Sequence, residues 1–85
     1  MKIEIEIPKY ESQSGIKYSW ENGFEILVEQ EIKTVSIIAN KEGLISLANH
    51  LLNLAQDGIP KGFHLHFDEN NSLEEGSSEL IFFKK

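Results

Sequence analysis

The stretch NKEGLISLANHLLNLAQDG, residues 40–58, is the only part of the chain with a convincing helical pattern. At about 100° per residue, its leucines, isoleucine and alanines gather on one half of a helical cylinder and its polar residues on the other half. Asn40 is a suitable N-cap, and Gly58 with Pro60 forms a stop signal. The pattern therefore predicts one amphipathic helix that buries its apolar half.

The apolar half of this helix is expected to pack against strands from the rest of the chain. The set that we expect to be buried comprises Leu44, Ala48, Leu51, Leu52 and Ala55 of the helix and Ile5, Leu65 and Phe67 of the strands. The polar half, which carries His50, is expected to face solvent. Gly43 is an unfavourable feature of the first turn, because glycine costs up to about 1 kcal/mol relative to alanine in a helix.

The other segments alternate between apolar and polar residues, which is typical of strands with one buried face. The predicted strands span residues 2–7, 16–20, 24–30, 34–39, 63–68 and 80–83. Asn22-Gly23 joins two of them, and this pair is the strongest short signal for a hairpin. The prediction is an α+β fold in which residues 1–85 form a single domain. It consists of a single, largely antiparallel five- or six-stranded sheet with one helix packed on one face.

The composition excludes several classes of function. The chain has no cysteine, so it forms no disulfide, cysteine-based zinc site or thiol nucleophile. Fourteen acidic residues against eight basic ones give a net charge of −6, which disfavours nucleic-acid binding. No apolar run approaches the ~20 residues of a membrane span and no signal peptide is recognisable, so we expect a cytoplasmic protein without membrane contact.

The pattern His64-x-His66-x-Asp68 is the best candidate for a chemical site. Residues two apart on a strand share one face, so both imidazoles could reach one metal ion at ~2.0–2.1 Å. No cysteine completes such a site and His50 is expected to point away, so we predict no metal and no cofactor. A small metal-binding or metal-sensing protein that uses these three residues is the alternative.

The pair Glu74-Glu75 could serve acid–base catalysis, but the segment offers no nucleophile and no cation to anchor a substrate. No phosphate-binding loop or hydrolase motif is present. We therefore predict that the chain has no catalytic residue and is not an enzyme.

The sheet face that the predicted helix leaves uncovered is acidic, with a few apolar residues among the charges. Strand alternation places Glu4, Glu6, Glu25, Glu29, Asp68, His64, His66, Leu27 and Ile38 on it. A solvated sheet face explains this composition in the ordinary way. The same composition also suits docking of a basic protein.

The C-terminal half carries the runs GLISLANHLLNLA, HLHFD and LEEGSSELI in this order. In these runs, residues 41–83 resemble a family of small bacterial immunity proteins from polymorphic toxin systems. The most specific part is HLHFD followed by LEEGS at residues 73–77. The resemblance implies a compact α+β domain that protects the producing cell by binding its own toxin. It also implies that these two segments matter to the fold or to docking.

We therefore expect a non-enzymatic immunity protein whose partner is a cognate toxin. Because this chain is acidic, a toxin with a basic surface is favoured. The expected partner-binding residues are Glu4, Glu6, Glu25, Leu27, Glu29, His64, His66, Asp68, Glu74 and Glu75. A structural module that associates through its sheet is a third hypothesis.

Overall fold

The computed structural model describes all of residues 1–85 and contains one helix and four strands. The elements are β1 (Ile26–Gln30), β2 (Val35–Ala39), α1 (Lys41–Leu54), β3 (His64–Phe67) and β4 (Leu80–Phe83). The strands form two separate antiparallel sheets of two strands each, β1–β2 and β3–β4. The α+β class is confirmed, whereas the prediction of a single five- or six-stranded sheet is wrong.

The first 23 residues contain no strand, so the strands predicted at residues 2–7 and 16–20 are also wrong. Alternation of apolar and polar residues shows only that a segment has one apolar face. A strand also needs a neighbouring strand that forms hydrogen bonds with its backbone. The edge of β1 that does not pair with β2 is already occupied by residues 74–78. In this segment, the amides of Glu74 and Ser78 donate to carbonyls of β1, each at 2.8 Å.

The helix begins where the sequence places it. The side-chain oxygen of Asn40 accepts hydrogen bonds from the amides of Gly43 at 2.8 Å and Glu25 at 3.0 Å. Its side-chain nitrogen donates to the carbonyl of Gly23 at 2.9 Å. Asn40 therefore caps α1 and also ties its first turn to the chain entering β1. The helix ends at Leu54, earlier than the predicted stop at Gly58.

The face that α1 buries is opposite to the predicted one. Leu44, Leu51 and Leu52 are 56%, 41% and 50% exposed, and Ala55 is exposed as well. The buried helical residues are Gly43, Ser46, Leu47, His50, Asn53 and Leu54. The burial predicted for Leu65 and Phe67 is confirmed, whereas Ile5 and Ala48 are only half-buried.

Polar side chains of α1 and the following turn hold the N-terminal segment, which explains why this half of the helix is buried. The amides of Tyr10, Ser19 and Glu21 donate to Gln56 Oε1 at 2.8 Å, His50 Nε2 at 3.1 Å and Ser46 Oγ at 2.9 Å, respectively. We call Ser46, His50 and Gln56 the polar ladder. If apolar side chains stood at these three positions, the amides would lose their acceptors. Each amide that stayed buried and unpaired would then lower the stability of the fold by about 1–3 kcal/mol.

The core lies between the inner faces of the two sheets and the buried half of α1. It comprises Ile26, Val28, Leu47, Leu54, Ile59, Leu65, Phe67 and Leu73. Trp20 of the N-terminal segment packs against this core. Its ring centroid lies 4.5 Å from that of Phe24 and 4.2 Å from that of His50. No helix combines the length and the apolar content that a bilayer crossing needs.

Gly43 packs closely against the chain at the start of β1. A Cβ at this position would stand 2.6 Å from the carbonyl oxygen of Glu25 and 2.9 Å from Cγ1 of Ile26. We therefore predict that Gly43→Ala lowers the free energy of unfolding by about 1–3 kcal/mol, because the added methyl overpacks this contact. The change would otherwise favour the helix by up to about 1 kcal/mol. Urea unfolding measures the difference, and a variant at least as stable as the wild type would contradict the close approach.

His50 is held in its neutral form inside the protein. Its side chain is 0% exposed, and its Nε2 accepts the hydrogen bond from Ser19, which places the ring proton on Nδ1. Burial lowers the pKa of His50 from 6.5 to about 4, because desolvation penalises the charged imidazolium. The unfolded chain therefore binds this proton at a higher pH than the folded chain does.

We predict that this difference makes the free energy of unfolding fall as the pH drops from 6.5 towards 4. The stabilising contribution is fully present above pH 6.5, and its loss amounts to about 3 kcal/mol for a shift of this size. Urea unfolding at a series of pH values should show a flatter profile for His50→Gln than for the wild type. Equal slopes for His50→Gln and the wild type would contradict the prediction.

Candidate functional site

The outer face of the β1–β2 sheet carries an apolar pair. The register places Leu27 opposite Ile38 and Glu29 opposite Ser36. Because Ile26 and Val28 point into the core, the alternating residues Leu27 and Glu29 point outward. Leu27 is half-buried and Ile38 is 54% exposed, so the pair forms an apolar centre that water reaches.

A shallow depression of about 470 Å³ lies beside this pair. Its lining consists of Glu25, Ile26, Leu27, Ile38, Ala39, Asn40, Glu74 and Glu75. We call it the acidic depression. Its three glutamates are exposed and none of them forms an ion pair, so their negative charges are not neutralised by the chain. The charged residues of its lining are all glutamates, without a lysine, which suits the depression to binding cationic groups.

The LEEGS segment brings two of these glutamates to β1. Leu73 is 5% exposed and belongs to the core, and the amide of Glu74 donates to the carbonyl of Ile26. Ser77 Oγ accepts from the amide of Val28 at 3.1 Å. Gly76 adopts φ +89°, a conformation that favours glycine, and its amide donates to a carboxylate oxygen of Glu69 at 2.9 Å. The segment is therefore an anchor that leaves the side chains of Glu74 and Glu75 exposed.

Glu4 and Glu6 do not join the acidic depression. They line a separate groove of about 210 Å³ with Ile45, Ser46 and Asn49 of α1 and with nearby residues of the N-terminal segment. The prediction placed them beside Glu25 because it treated residues 2–7 as a strand of the same sheet. Residues 2–7 form no strand, and this part of the chain lies beside α1 instead.

His64 and His66 lie in β3 of the β3–β4 sheet, and Asp68 follows directly after this strand. The two histidines contact different residues. His64 pairs with Phe83, with ring centroids 4.8 Å apart. His66 Nε2 lies 3.3 Å from Glu79 Oε1 and 3.6 Å from Asp68 Oδ2. Glu79 therefore takes the place that the sequence pattern suggested for His64.

The ligand atoms of His66, Asp68 and Glu79 lie within 4.8 Å of one another. A metal ion held there would have three ligand atoms from mostly exposed side chains, which water hydrates well, so the metal-binding alternative is not favoured. The absence of a metal site remains a prediction. Glu79 was missed in the sequence because only the register between β3 and β4 brings it to His66, and no local pattern reports that register.

Residues 34–85 match the family model described as Immunity protein 32. This match covers more than half of the chain and includes β2, α1, β3, β4 and the LEEGS segment. No curated protein and no solved structure matches the chain. The match confirms the resemblance to immunity proteins that was based on residues 41–83. The chain therefore belongs to the Immunity protein 32 family.

Proposed function

We propose that the chain is a non-enzymatic immunity protein that neutralises a cognate toxin of a polymorphic toxin system by binding it directly in the cytoplasm. Membership of the Immunity protein 32 family supports the binding role. The observation that carries the choice of surface is the acidic depression. It combines three unpaired glutamates with the apolar pair Leu27–Ile38.

The charges of this surface favour a basic partner. Glu25, Glu74 and Glu75 surround the depression, and Glu29 extends the acidic surface along β1. A negative surface on a chain of net charge −6 attracts a positive surface over a distance set by the ionic strength. A toxin that cleaves nucleic acid needs a positive groove for its substrate, and an acidic protein can occupy that groove. Occlusion of such a groove is the proposed mechanism of neutralisation.

The charges and the apolar pair have different tasks in this mechanism. Exposed charges at the rim of an interface mainly speed association and contribute little to the lifetime of the complex. A desolvated centre provides the lifetime, and Leu27 with Ile38 supplies one here. The docking surface is therefore narrower than the predicted set of residues, since Glu4, Glu6, His64, His66 and Asp68 lie outside it.

We predict that Glu25→Lys combined with Glu29→Lys slows association with the cognate toxin by about tenfold or more at low salt. Two reversals change the net charge from −6 by +4, to −2. The matched control is Glu4→Lys with Glu6→Lys, which gives the same net charge outside the depression. Stopped-flow association rates across a salt series distinguish a local effect from an effect of total charge.

Equal rates for the two double variants at every salt concentration would contradict docking at the acidic depression. The same measurement on Leu27→Ala should show a nearly unchanged association rate and faster dissociation. Co-expression tests the function itself, since the wild-type chain should restore growth to cells that produce the toxin. Failure to protect and failure to bind would together refute the immunity role.

A further inference from the structure

The outward half of α1 is an apolar surface that nothing in the fold covers. We call the residues of this half the outer face of α1: Leu44, Ala48, Leu51, Leu52 and Ala55. The one charged side chain that helical geometry places in the same sector is Lys41, because Glu42 projects from the opposite side. A contiguous exposed apolar surface is a candidate site of association.

The spacing within the outer face matches a paired helix. Leu44, Ala48, Leu51 and Ala55 are separated by four, three and four residues, which is the spacing of a seam between two helices. Large and small residues alternate along this seam. In an antiparallel pair with two-fold symmetry, Leu44 would face Ala55 of a second copy, and Ala48 would face its Leu51. Each leucine then meets an alanine, so the surface is complementary to itself.

The charges at the ends of the seam agree with the same arrangement. Antiparallel pairing brings Lys41 to the C-terminal end of α1 in the second copy. The free carbonyls at a helix C-terminus are partly negative and favour a cation. A basic toxin is a poorer occupant, because the outer face offers no carboxylate to it.

From this complementarity we propose that the chain forms a two-fold symmetric homodimer through the antiparallel packing of α1 against α1 of a second copy. The interface is small, since five residues and Lys41 fall well below the roughly 20–30 residues per side of a standard interface. The dimer is therefore weak and concentration-dependent, with a dissociation constant in the micromolar range. It involves none of the residues of the acidic depression and does not rest on the proposed function.

Sedimentation equilibrium of the full chain, from about 1 to 500 μM, measures this dimer. We expect Leu51→Glu to raise the dissociation constant at least tenfold, because it places two carboxylates in the seam. Ile32→Glu is the matched control: Ile32 is 99% exposed in the turn between β1 and β2, and its change should alter the constant less than twofold. Circular dichroism verifies that both variants remain folded.

Cysteine cross-linking tests the orientation, since the chain has no cysteine of its own. At a rise of 1.5 Å per residue, the antiparallel pair places residue 48 of the two copies about 4–5 Å apart along the axis, and residue 41 about 25 Å apart. Mild oxidation should therefore link Ala48→Cys into a covalent dimer and leave Lys41→Cys monomeric.

Three results would overturn the proposal. The wild type remaining monomeric at 500 μM excludes the dimer, and efficient cross-linking of Lys41→Cys indicates a parallel pair instead. A dimer that Leu51→Glu leaves intact would use another surface. If the chain alone is monomeric and Leu51→Glu abolishes binding to the toxin, the toxin rather than a second copy covers the outer face.

Discussion

The hydrogen bonds from backbone amides of the N-terminal segment to the polar ladder set the orientation of α1. Ser46, His50 and Gln56 accept from Glu21, Ser19 and Tyr10, and their distances range from 2.8 to 3.1 Å. A backbone amide that loses water needs another acceptor, and the first 23 residues have no strand neighbour to provide one. The helix supplies the acceptors instead, so its polar half turns inward and most of its leucines turn outward.

This orientation has consequences on both sides of the helix. On the inner side, Gly43 allows close contact with β1, and His50 remains neutral among the rings of Trp20 and Phe67. On the outer side, Leu44, Leu51 and Leu52 are left exposed, and we propose that they mediate association. Residues 74–78 complete the arrangement, because they occupy the free edge of β1 and bring Glu74 and Glu75 next to Leu27. The two proposed docking surfaces thus both depend on the hydrogen-bond partners that backbone groups find.

The local patterns of the sequence predict the local features well. The cap at Asn40, the strand β4, the core residues Leu65 and Phe67, and the family are confirmed. The patterns fail where a long-range partner decides the outcome. Hydrophobic periodicity assumes that the polar half of a helix faces water, whereas here that half faces a segment of backbone. The alternation of residues 2–7 describes a strand only if its backbone pairs with another strand, and these residues form no such pair.

The candidate site was predictable to a similar degree. Glu25, Leu27, Glu74 and Glu75 were each expected to bind a partner, and they meet at one depression. Glu74 and Glu75 reach it through hydrogen bonds of the LEEGS backbone, which no side-chain pattern encodes. Glu79 was missed for the same reason, because its proximity to His66 depends on the register of β3 and β4.

Hydrogen–deuterium exchange, followed residue by residue by NMR, tests the polar ladder most directly. The amides of Ser19 and Glu21 donate to α1, whereas those of Lys17 and Asn22 make no hydrogen bond within the protein. The account predicts that Ser19 and Glu21 exchange at least about tenfold more slowly than Lys17 and Asn22. It also predicts that Ser46→Ala selectively speeds exchange at Glu21. Exchange of Ser19 and Glu21 as fast as that of Lys17 and Asn22 would contradict the inward orientation of the polar half of the helix.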